Sequence, residues 1–437
     1  MKLSNAPEMP WLPRWSNQLL VGGLVALAAC APSVETPAPA PAPVPGALPG
    51  AEPEVRVGLV VDQASVVVGS TEGFELSEAT TGREIDEADS DASWTFTASQ
   101  AGELHYSKDG GGAVGTGTDL LVVRPEDGGT LLVDGKPYRG VALVRTSGSG
   151  RVTAINRVDM ENYLLGVVPR EIGSVGEDLI EAAKAQAVAA RTYAVAQRGR
   201  RSALGFDYYA TTSDQVYGGL EAEHAPVSRA VRSTAGEILT YQGEPIEAYY
   251  HSTCAGQTAA IDEVWDAEPR PYLVSVVDIN PRTGEAYDVT SSRFSWTEQW
   301  TDEQLEDILD RTLADSLPAG VSSIGDLVDL EILRLTPSDR VEALRISTTA
   351  GNFIVGKDYV RRFFLTPEGA LLNSSKFVLE LERDAEGRPT EITAIGGGWG
   401  HGIGMCQVGA MGRARAGQDY QTILQAYYPH TQLVDLY

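Results

Sequence analysis

One alanine-rich segment, residues 158–201, constrains the fold of this chain more than any other. Between positions 179 and 194, apolar residues recur at helical spacing along one face, and most of them are alanines. Alanine favours the helix and lets neighbouring elements approach closely, so this pattern predicts a central helix. Ser174 and Glu177 precede it with the S-x-x-E spacing of a capping box, which predicts where the helix begins.

The residues just before this helix contain the first candidate for chemistry. The apolar run 163–168 is typical of a strand or a buried turn, and Pro169 ends it. Glu171 then falls in the loop between two buried elements, where partial burial raises a carboxyl pKa and suits it to acid catalysis near neutral pH. The alternative interpretation is a solvated turn residue or a partner for Arg170.

The charge balance of the chain argues against one large class of partners. The 437 residues include 34 Lys and Arg against 60 Asp and Glu, which gives a formal net charge of −26. Nucleic-acid binding needs a basic face and adhesion to anionic lipid needs basic clusters, so we expect neither. The length is sufficient for two or three domains.

The first thirty residues have the pattern of an export signal. Lys2 and Arg14 precede an apolar stretch, residues 19–29, that is too short for a confident membrane span, and Cys30 follows directly. The ending Leu-Ala-Ala-Cys resembles a bacterial lipobox, in which cleavage leaves a lipid-modified Cys30 as the first residue. An ordinary signal peptide or a short anchor is the alternative. We expect residues 1–29 to be a signal peptide and the protein to be an extracytoplasmic, membrane-anchored lipoprotein.

The rest of the chain divides into three parts. Residues 30–54 are rich in alternating proline and alanine, which predicts an extended, semi-rigid tether. Residues 55–150 contain short alternating runs separated by Gly- and Asp-rich turns, which predict a β-rich N-terminal part. Residues 151–437 mix helical and strand patterns. The predicted fold class is therefore α+β, with a mixed α/β core around the alanine-rich helix.

Polar residues in two segments of this core are candidates for a binding site. Gln215 and Tyr217 alternate on one face if their segment is a strand, and together they can hydrogen-bond and stack on a sugar. They are also ordinary strand residues. His251 ends a predicted hairpin that turns at Gly243, although a lone histidine is more often structural.

A glycine-rich loop, residues 396–404, follows the predicted strand 392–395. Its glycines lack the G-x-G-x-x-G spacing and no Lys-Ser/Thr pair follows, so we reject nucleotide binding. Such glycines let the backbone approach a ligand or another strand closely. They also allow Trp399, His401 and Gln407 to surround one opening.

Two further cysteines, Cys254 and Cys406, lie far apart in the sequence. Exported chains meet oxidising conditions, in which cysteines can pair. The sequence alone leaves three alternatives open: a disulfide, two free buried thiols, or a metal site.

Several long motifs, taken together, resemble the SpoIID/LytB family of cell-wall proteins over roughly residues 55–437. One branch of that family consists of lytic transglycosylases that cut peptidoglycan strands lacking stem peptides. Another branch consists of amidase enhancers, which stimulate a separate wall amidase. The resemblance implies glycan strands as the ligand and other cell-wall hydrolases as further partners, and it leaves a non-catalytic enhancer as the alternative function. The matching motifs, in family order, are VDMENYLLGVVPREIG, AAKAQAVAARTYA, DQVYGG, AYYHSTCAGQT with DEVW, and GGGWGHGIGMCQVGA.

The resemblance also implies roles for individual residues. The family's catalytic glutamate aligns with Glu171. It would act as a single acid/base that protonates the glycosidic oxygen and then activates the C6 hydroxyl, which closes a 1,6-anhydro ring. Arg191 would orient Glu171 or tie down the helix. The implied substrate-binding residues are Arg191, Gln215, Tyr217, His251, Trp399, His401 and Gln407.

The chain departs from the family pattern at two places. Some relatives have Cys and His immediately before the Gln-x-Tyr motif, where this chain has Ser213 and Asp214, so a zinc site of that type is doubtful and we predict no cofactor. Cys254 and Cys406 stand where relatives often carry Ser, in loops that should converge, which implies a disulfide between them. The less favoured alternative is a metal site of His251, Cys254, His401 and Cys406.

Overall fold

A computed structural model describes residues 50–108, 110–146, 150–314 and 323–437. The predicted signal peptide, the predicted lipidation site Cys30 and most of the predicted tether lie outside these ranges. Within the ranges, every helix is too short or too polar to span a membrane.

The N-terminal part is built from strands, as its alternating sequence predicts. In the second strand, for example, Val66 and Val68 are buried whereas Val67 is 36% exposed. One sheet contains β1, β12, β11, β8, β3 and β4 in that order, and a second contains β10, β9, β2, β5, β6 and β7. The strands are β1 (Glu54–Gln63), β2 (Ser65–Ser70), β3 (Phe74–Glu78), β4 (Glu84–Ala88), β5 (Ser93–Ala98), β6 (Leu104–Lys108), β7 (Val114–Gly115), β8 (Leu120–Pro125), β9 (Leu131–Val133), β10 (Lys136–Tyr138), β11 (Val141–Thr146) and β12 (Val152–Asp159).

The last of these strands leads directly into a helix, α1 (Met160–Ile172). The prediction of a strand or turn over residues 163–168 is therefore wrong. Nine of its thirteen residues are buried, including the unbroken run 163–169, so this run shows no helical period and cannot be distinguished from a buried strand by its sequence. Pro169 is accommodated in the last turn, and Glu171 belongs to that turn rather than to a loop.

The alanine-rich helix, α2 (Ile180–Gln197), is central as predicted. It contacts α1 and, among the elements given below, three further helices and two strands. Its start differs from the prediction, because a short 3₁₀ turn, Glu177–Leu179, precedes it and no side chain caps it. The predicted capping box is wrong because the Glu177 carboxylate pairs instead with Arg229.

The chain after α2 holds the next two helices and a short hairpin. The predicted turn at Gly243 is confirmed, since β14 and β15 pair antiparallel on either side of it. The segment of Gln215 and Tyr217, which could have been a strand, is irregular, because the Val216 amide donates to Glu171 instead of to a neighbouring strand. The elements are β13 (Tyr208–Tyr209), α3 (Ala225–Ser233), β14 (Glu237–Tyr241), β15 (Glu244–Pro245), β16 (Tyr250–His251) and α4 (Ile261–Val264).

Residues 296–396, which we call the insert, form a separate hydrophobic core around Trp300 and Phe364. Two three-stranded sheets enclose this core, with strand orders β17-β22-β21 and β18-β19-β20. Its longer helix begins with a capping box in which Thr301 and Gln304 cap each other's backbone amides. The elements are β17 (Trp296–Thr301), α5 (Asp302–Thr312), β18 (Leu327–Leu335), β19 (Val341–Thr348), β20 (Gly351–Val355), α6 (Val360–Phe363), β21 (Phe377–Arg383) and β22 (Pro389–Gly396).

After the insert the chain returns to the first core. It forms β23 (Met405–Cys406), α7 (Gln407–Arg415), α8 (Tyr420–Tyr427) and β24 (Gln432–Asp435). β23 pairs with β16 and β24 pairs with β14, while α7 and α8 contact α2. The glycine-rich loop 396–404 therefore lies beside the loop that follows His251, and the α+β fold class is confirmed.

Candidate active site

Glu171 lies in the last turn of α1, where its side chain is partly buried. The Val216 amide donates to Glu171 Oε1 over 2.8 Å, and the Gln407 side chain also hydrogen-bonds the carboxyl. Burial raises the pKa of Glu171 from its ordinary value of 4.5 to about 7, because these two hydrogen bonds only partly offset the loss of solvation. At neutral pH the carboxyl is thus able both to donate and to accept a proton.

Neutral polar side chains surround this carboxyl. The Tyr163 hydroxyl donates to Gln215 Oε1 over 3.2 Å, and Gln215 Nε2 donates to the Tyr250 hydroxyl over 2.9 Å. Both tyrosines interact electrostatically with Glu171, and burial raises the pKa of each phenol well above its usual range. They therefore remain uncharged. Gln215 itself is 1% exposed and is fixed by a further hydrogen bond to the Ala190 carbonyl.

Gln407 connects this cluster to the central helix. It is the first residue of α7, and its Nε2 donates to Gln186 Oε1 of α2 over 3.3 Å. The structure thus brings Gln215 and Gln407, two of the predicted binding residues, next to Glu171 from opposite ends of the sequence.

The two predicted histidines, His251 and His401, come from the two segments that pair with each other, the one around β16 and the glycine-rich loop. His401 Nδ1 accepts a hydrogen bond from the Ile403 amide at 3.0 Å, so the proton of the neutral ring is on Nε2. Burial lowers the pKa of His401 to about 4, which keeps the ring neutral. The His251 ring lies 5.6 Å from the His401 ring, centroid to centroid, and Trp265 packs on the other side of His401 at 5.1 Å.

Trp399 is the most exposed of the predicted binding residues. It is 47% exposed, and the Arg293 guanidinium stacks on its ring at 4.9 Å from the centroid. Its backbone forms a β-bridge with Thr253, which joins the glycine-rich loop to the loop after His251. An exposed, supported indole of this kind is suited to stacking on a sugar ring.

Two predicted binding residues lie in the core instead. Tyr217 is 5% exposed, and its hydroxyl donates to Asn156 Oδ1 over 2.9 Å. Arg191 is completely buried and forms a bidentate ion pair with Glu161, at 2.7 and 2.8 Å. Its remaining hydrogen bonds go to backbone carbonyls of α3 and β14, so it ties α2 to its neighbours.

Cys254 and Cys406 are both free, fully buried thiols. The predicted disulfide is therefore not formed in this structure. Instead, Cys254 Sγ points to Asp278 Oδ2 at 3.6 Å and Cys406 Sγ points to the Ser252 carbonyl at 3.6 Å. The two loops do converge, as predicted.

Sequence reasoning missed several residues of this region. Tyr163 and Tyr250 stand inside the quoted motifs, so their place in a motif was an available signal, although only the fold brings them to Gln215. Arg340 and Lys376, both almost fully buried, reach these loops from the insert, and Lys376 Nζ donates to the Ala255 carbonyl over 3.2 Å. No motif marks either residue, because only the fold of the insert brings them there.

Comparisons with known proteins match the two regions separately. A family model described as "Stage II sporulation protein", SpoIID, matches residues 148–241, which include Glu171. A second model, the domain of unknown function DUF8618, matches residues 282–404, which contain the insert.

Curated relatives extend the match over most of the chain. An uncharacterized protein of Brachyspira hyodysenteriae is 32% identical over 325 residues, 74% of this chain and 78% of that protein. The amidase enhancer of Bacillus subtilis is 30% identical over 353 residues, which are 72% of this chain but 46% of that protein. The stage II sporulation protein D of Bacillus amyloliquefaciens is 30% identical over 303 residues, 66% of this chain and 76% of that protein. The predicted resemblance is confirmed, and the chain belongs to the SpoIID family.

Proposed function

We propose that this protein is a peptidoglycan lytic transglycosylase in which Glu171 cleaves glycan strands that lack stem peptides. Membership of the SpoIID family supports a role at the cell wall. The observation that carries the finer proposal is the Glu171 carboxyl, whose pKa is about 7 and whose neighbours are neutral hydrogen-bonding groups.

The reaction needs one group that serves first as an acid and then as a base. Protonated Glu171 gives its proton to the glycosidic oxygen as the C1–O bond breaks. The resulting carboxylate then takes the proton of the C6 hydroxyl of the same muramic acid, and O6 bonds to C1. The 1,6-anhydro ring closes, no water is consumed, and Glu171 regains its proton. A pKa near the working pH favours both steps.

The pairing of two neighbouring carboxylates with arginines favours this scheme over hydrolysis. Glycosidases that use water normally employ two carboxyls, one as acid and one as base or nucleophile. The other carboxylate of α1, Glu161, is paired with Arg191, and Asp214, next to Gln215, is paired with Arg201. Each of these carboxylates accepts hydrogen bonds from its arginine, which directs it away from the role of second catalytic group.

The surrounding residues have distinct roles in this proposal. Gln407 and the Val216 amide orient the carboxyl, since both hydrogen-bond it. Gln215 hydrogen-bonds Tyr163 and Tyr250 and so fixes both phenols near the carboxyl. Trp399 offers an exposed indole on which a sugar ring can stack. Arg191 and Tyr217 act through the fold, because neither is accessible to a strand.

The proposal is tested by mass spectrometry of denuded glycan strands after incubation with the mature protein. We expect fragments ending in 1,6-anhydro-muramic acid, and the same fragments when the reaction is run in heavy-oxygen water, because water does not enter the product. Glu171→Gln keeps the shape of the side chain but has no proton to give, so cleavage should fall at least about 100-fold. Glu386→Gln, an exposed position in the insert, is the matched control. Reducing ends that contain heavy oxygen would instead identify a hydrolase.

The second candidate function is a non-catalytic amidase enhancer. The observation that favours it is the 30% identity to the amidase enhancer of Bacillus subtilis over 72% of this chain. Under this alternative, neither the protein nor Glu171→Gln cleaves strands, both bind them, and both stimulate a wall amidase equally. Absence of cleavage together with equal stimulation would replace the transglycosylase proposal.

The proposal also includes the place where the protein acts, which is outside the cytoplasm at the cell wall. We expect export and a lipid anchor at Cys30, which would hold the protein outside the cytoplasm and next to the wall, where other hydrolases act. Cys30→Ala should move the protein from the membrane fraction to the soluble extracytoplasmic fraction. Retention of that variant in the membrane would contradict the anchor without affecting the assignment of Glu171.

A further inference from the structure

His251, Cys254 and Cys406 lie close together where β16 pairs with β23. His251 and Cys406 are partners in this parallel register, and Cys254 follows three residues after His251. His251 is 4% exposed and both cysteines are fully buried. One ring nitrogen of His251 and the two sulfur atoms all lie within 4.8 Å of one another.

The hydrogen bonding of His251 is that of a metal ligand. Its Nδ1 lies 3.2 Å from the Ile403 carbonyl, and a carbonyl only accepts, so Nδ1 carries the proton. The lone pair is then on Nε2, and this buried atom has no hydrogen-bond partner among the described residues. Metal-binding histidines commonly donate one ring N–H to a backbone carbonyl and bind the metal through the other nitrogen. A buried polar atom without a partner is costly, and a ligand would remove that cost.

The nearby carboxylates are already engaged. Asp288 accepts hydrogen bonds from the amides of Cys254 and Ala255 through Oδ2, and from the Gly256 amide through Oδ1. Asp278 accepts from Arg413 and from the Tyr427 hydroxyl. Each thiol donates only weakly, to Asp278 and to the Ser252 carbonyl at 3.6 Å, and loses that proton when it binds a metal. The two sulfurs and one imidazole nitrogen then form a soft donor set that favours zinc.

We propose that His251, Cys254 and Cys406 bind a zinc ion that clamps the glycine-rich loop to the loop after His251. Each thiol gives up its proton on binding, so one divalent cation replaces two protons and the charge of the buried cluster does not change. The donors differ from those expected of relatives with Cys and His before the Gln-x-Tyr motif, where this chain has Ser213 and Asp214.

A buried arginine of the insert supports thiolate ligands at this site. Arg340 is 1% exposed, and three of its nitrogens have no hydrogen-bond partner among the residues that the structure describes. It interacts electrostatically with Cys254. Buried donors without acceptors are costly, and a metal-bound thiolate supplies a hydrogen-bond acceptor for them.

The test is metal binding by the full chain, prepared with a chelator and a reductant and then dialysed against zinc. We expect one zinc per chain by elemental analysis. X-ray absorption should show two sulfur ligands at about 2.3 Å and at least one nitrogen or oxygen ligand at about 2.0 Å. Cobalt added in place of zinc should give the intense near-ultraviolet band of thiolate-to-cobalt charge transfer, which carboxylates and imidazoles do not give.

Variants separate this site from adventitious binding. Cys254→Ser and Cys406→Ser should each lose the cobalt band and the stoichiometric zinc, and zinc should no longer raise their melting temperature. His430→Ala, which changes an exposed histidine, and Glu171→Gln should retain all three properties. Because the cobalt band is read on the unmodified protein, the test stands even where a serine variant folds poorly.

Three results would overturn the proposal. A disulfide between Cys254 and Cys406 in the protein as isolated from its own compartment would assign the sulfurs to a covalent bond. Two titratable thiols with no bound zinc after dialysis would show that the cluster holds only protons. Zinc that binds without sulfur in its ligand shell would place the metal elsewhere.

Discussion

The two hydrophobic cores of this chain differ in what they bury. The core around α2 encloses polar and charged groups, among them Gln186, Arg191 and Gln215. The core of the insert, around Trp300 and Phe364, is aliphatic and aromatic, and buried polar residues such as Ser374 and Lys376 bond from the insert to the neighbouring loops. Burying polar groups is costly unless each one is hydrogen-bonded, so the buried polar groups around α2 and along the edge of the insert indicate where the chain maintains a defined chemical environment.

The insert contributes to that environment only at its edge. The Gly397 amide donates to the Lys376 carbonyl over 3.0 Å, and the Gly400 amide donates to the Asn373 carbonyl over 2.8 Å. Together with the Lys376 side chain on Ala255, these contacts support the glycine-rich loop and the loop after His251 from behind. The two regions therefore have different roles, which we call the division of work: the α2 core holds Glu171, and the insert positions the glycine-rich loop and the loop after His251.

The largest expected effect is the loss of the buried ion pair in the α2 core. Arg191→Ala should lower the free energy of unfolding by about 3–5 kcal/mol, because it leaves Glu161 without its counter-charge. Urea unfolding followed by circular dichroism measures this loss. Arg334→Ala in the insert, whose pair with Glu342 is exposed, should cost less than about 1 kcal/mol. If Arg191 instead orients Glu171, the pH dependence of cleavage would shift while stability changed little.

A comparable loss confined to the insert is expected from Trp300→Ala. The indole is fully buried, and its Nε1 donates to the Leu365 carbonyl over 2.9 Å. Its removal should cost about 3–5 kcal/mol and open the insert first, because the two cores are separate clusters. Hydrogen exchange should then rise in the insert and stay unchanged in α2. An equal rise in both would show that the chain unfolds as one cooperative unit.

A smaller effect depends on pH and belongs to the α2 core. The raised pKa of Glu171 means that the folded state holds the proton more tightly than the unfolded chain, so ionisation destabilises the fold progressively from about pH 4.5 to pH 7. Glu171→Gln should therefore be no more stable than the parent at pH 4. By pH 8 it should gain at most about 3 kcal/mol in the free energy of unfolding, and less where the carboxyl is partly solvated.

Thermal unfolding at pH 4, 6 and 8 checks this trend. Glu386→Gln is the control, since it removes an exposed carboxyl and leaves Glu171 in place. A stability gain for Glu171→Gln that is the same at all three pH values would mean that packing, rather than ionisation, limits this site.

The sequence predicted the α+β class, the central helix and the position of Glu171 beside it, because helical periodicity and long motifs are local signals. It failed at α1, where the continuous buried run 163–169 hides the helical period, and after Gln215, where the Val216 amide bonds to Glu171 instead of to a strand. Glutamines and histidines of the motifs do lie near one another. Which of them are accessible depends on packing between distant segments.

The insert shows more clearly what a sequence pattern cannot predict. The acidic amphipathic pattern of residues 301–313 predicts a helix and the run 341–347 predicts a strand, and these agree with α5 (Asp302–Thr312) and β19 (Val341–Thr348). The separate core was not predicted, because periodicity shows that a face is buried but not what it is buried against. The same holds for Arg340, whose burial beside Cys254 depends on how the insert docks.

The smallest expected effect compares two cation–π pairs, one in each region. Arg293 stacks on Trp399 at 4.9 Å, and Arg362 stacks on the exposed Tyr359 of the insert at 5.8 Å. Such a pair at an exposed site is worth about 0.5–1 kcal/mol, which corresponds to a few-fold change in affinity. In a Glu171→Gln background, which prevents cleavage, Arg293→Ala should weaken binding of denuded glycan strands by that amount, because the indole loses its support.

Arg362→Ala is the matched control and should leave strand binding unchanged, since Arg362 and Tyr359 belong to the insert and line a small cavity with Trp265 rather than with Trp399. Titration of the variants with strands of defined length measures both affinities. If the two variants weaken binding equally, glycan also contacts the surface of the insert, and the division of work between the two regions does not hold. If only Arg293→Ala does so, the strand follows the glycine-rich loop, and the insert acts on the ligand only through the loops that it supports.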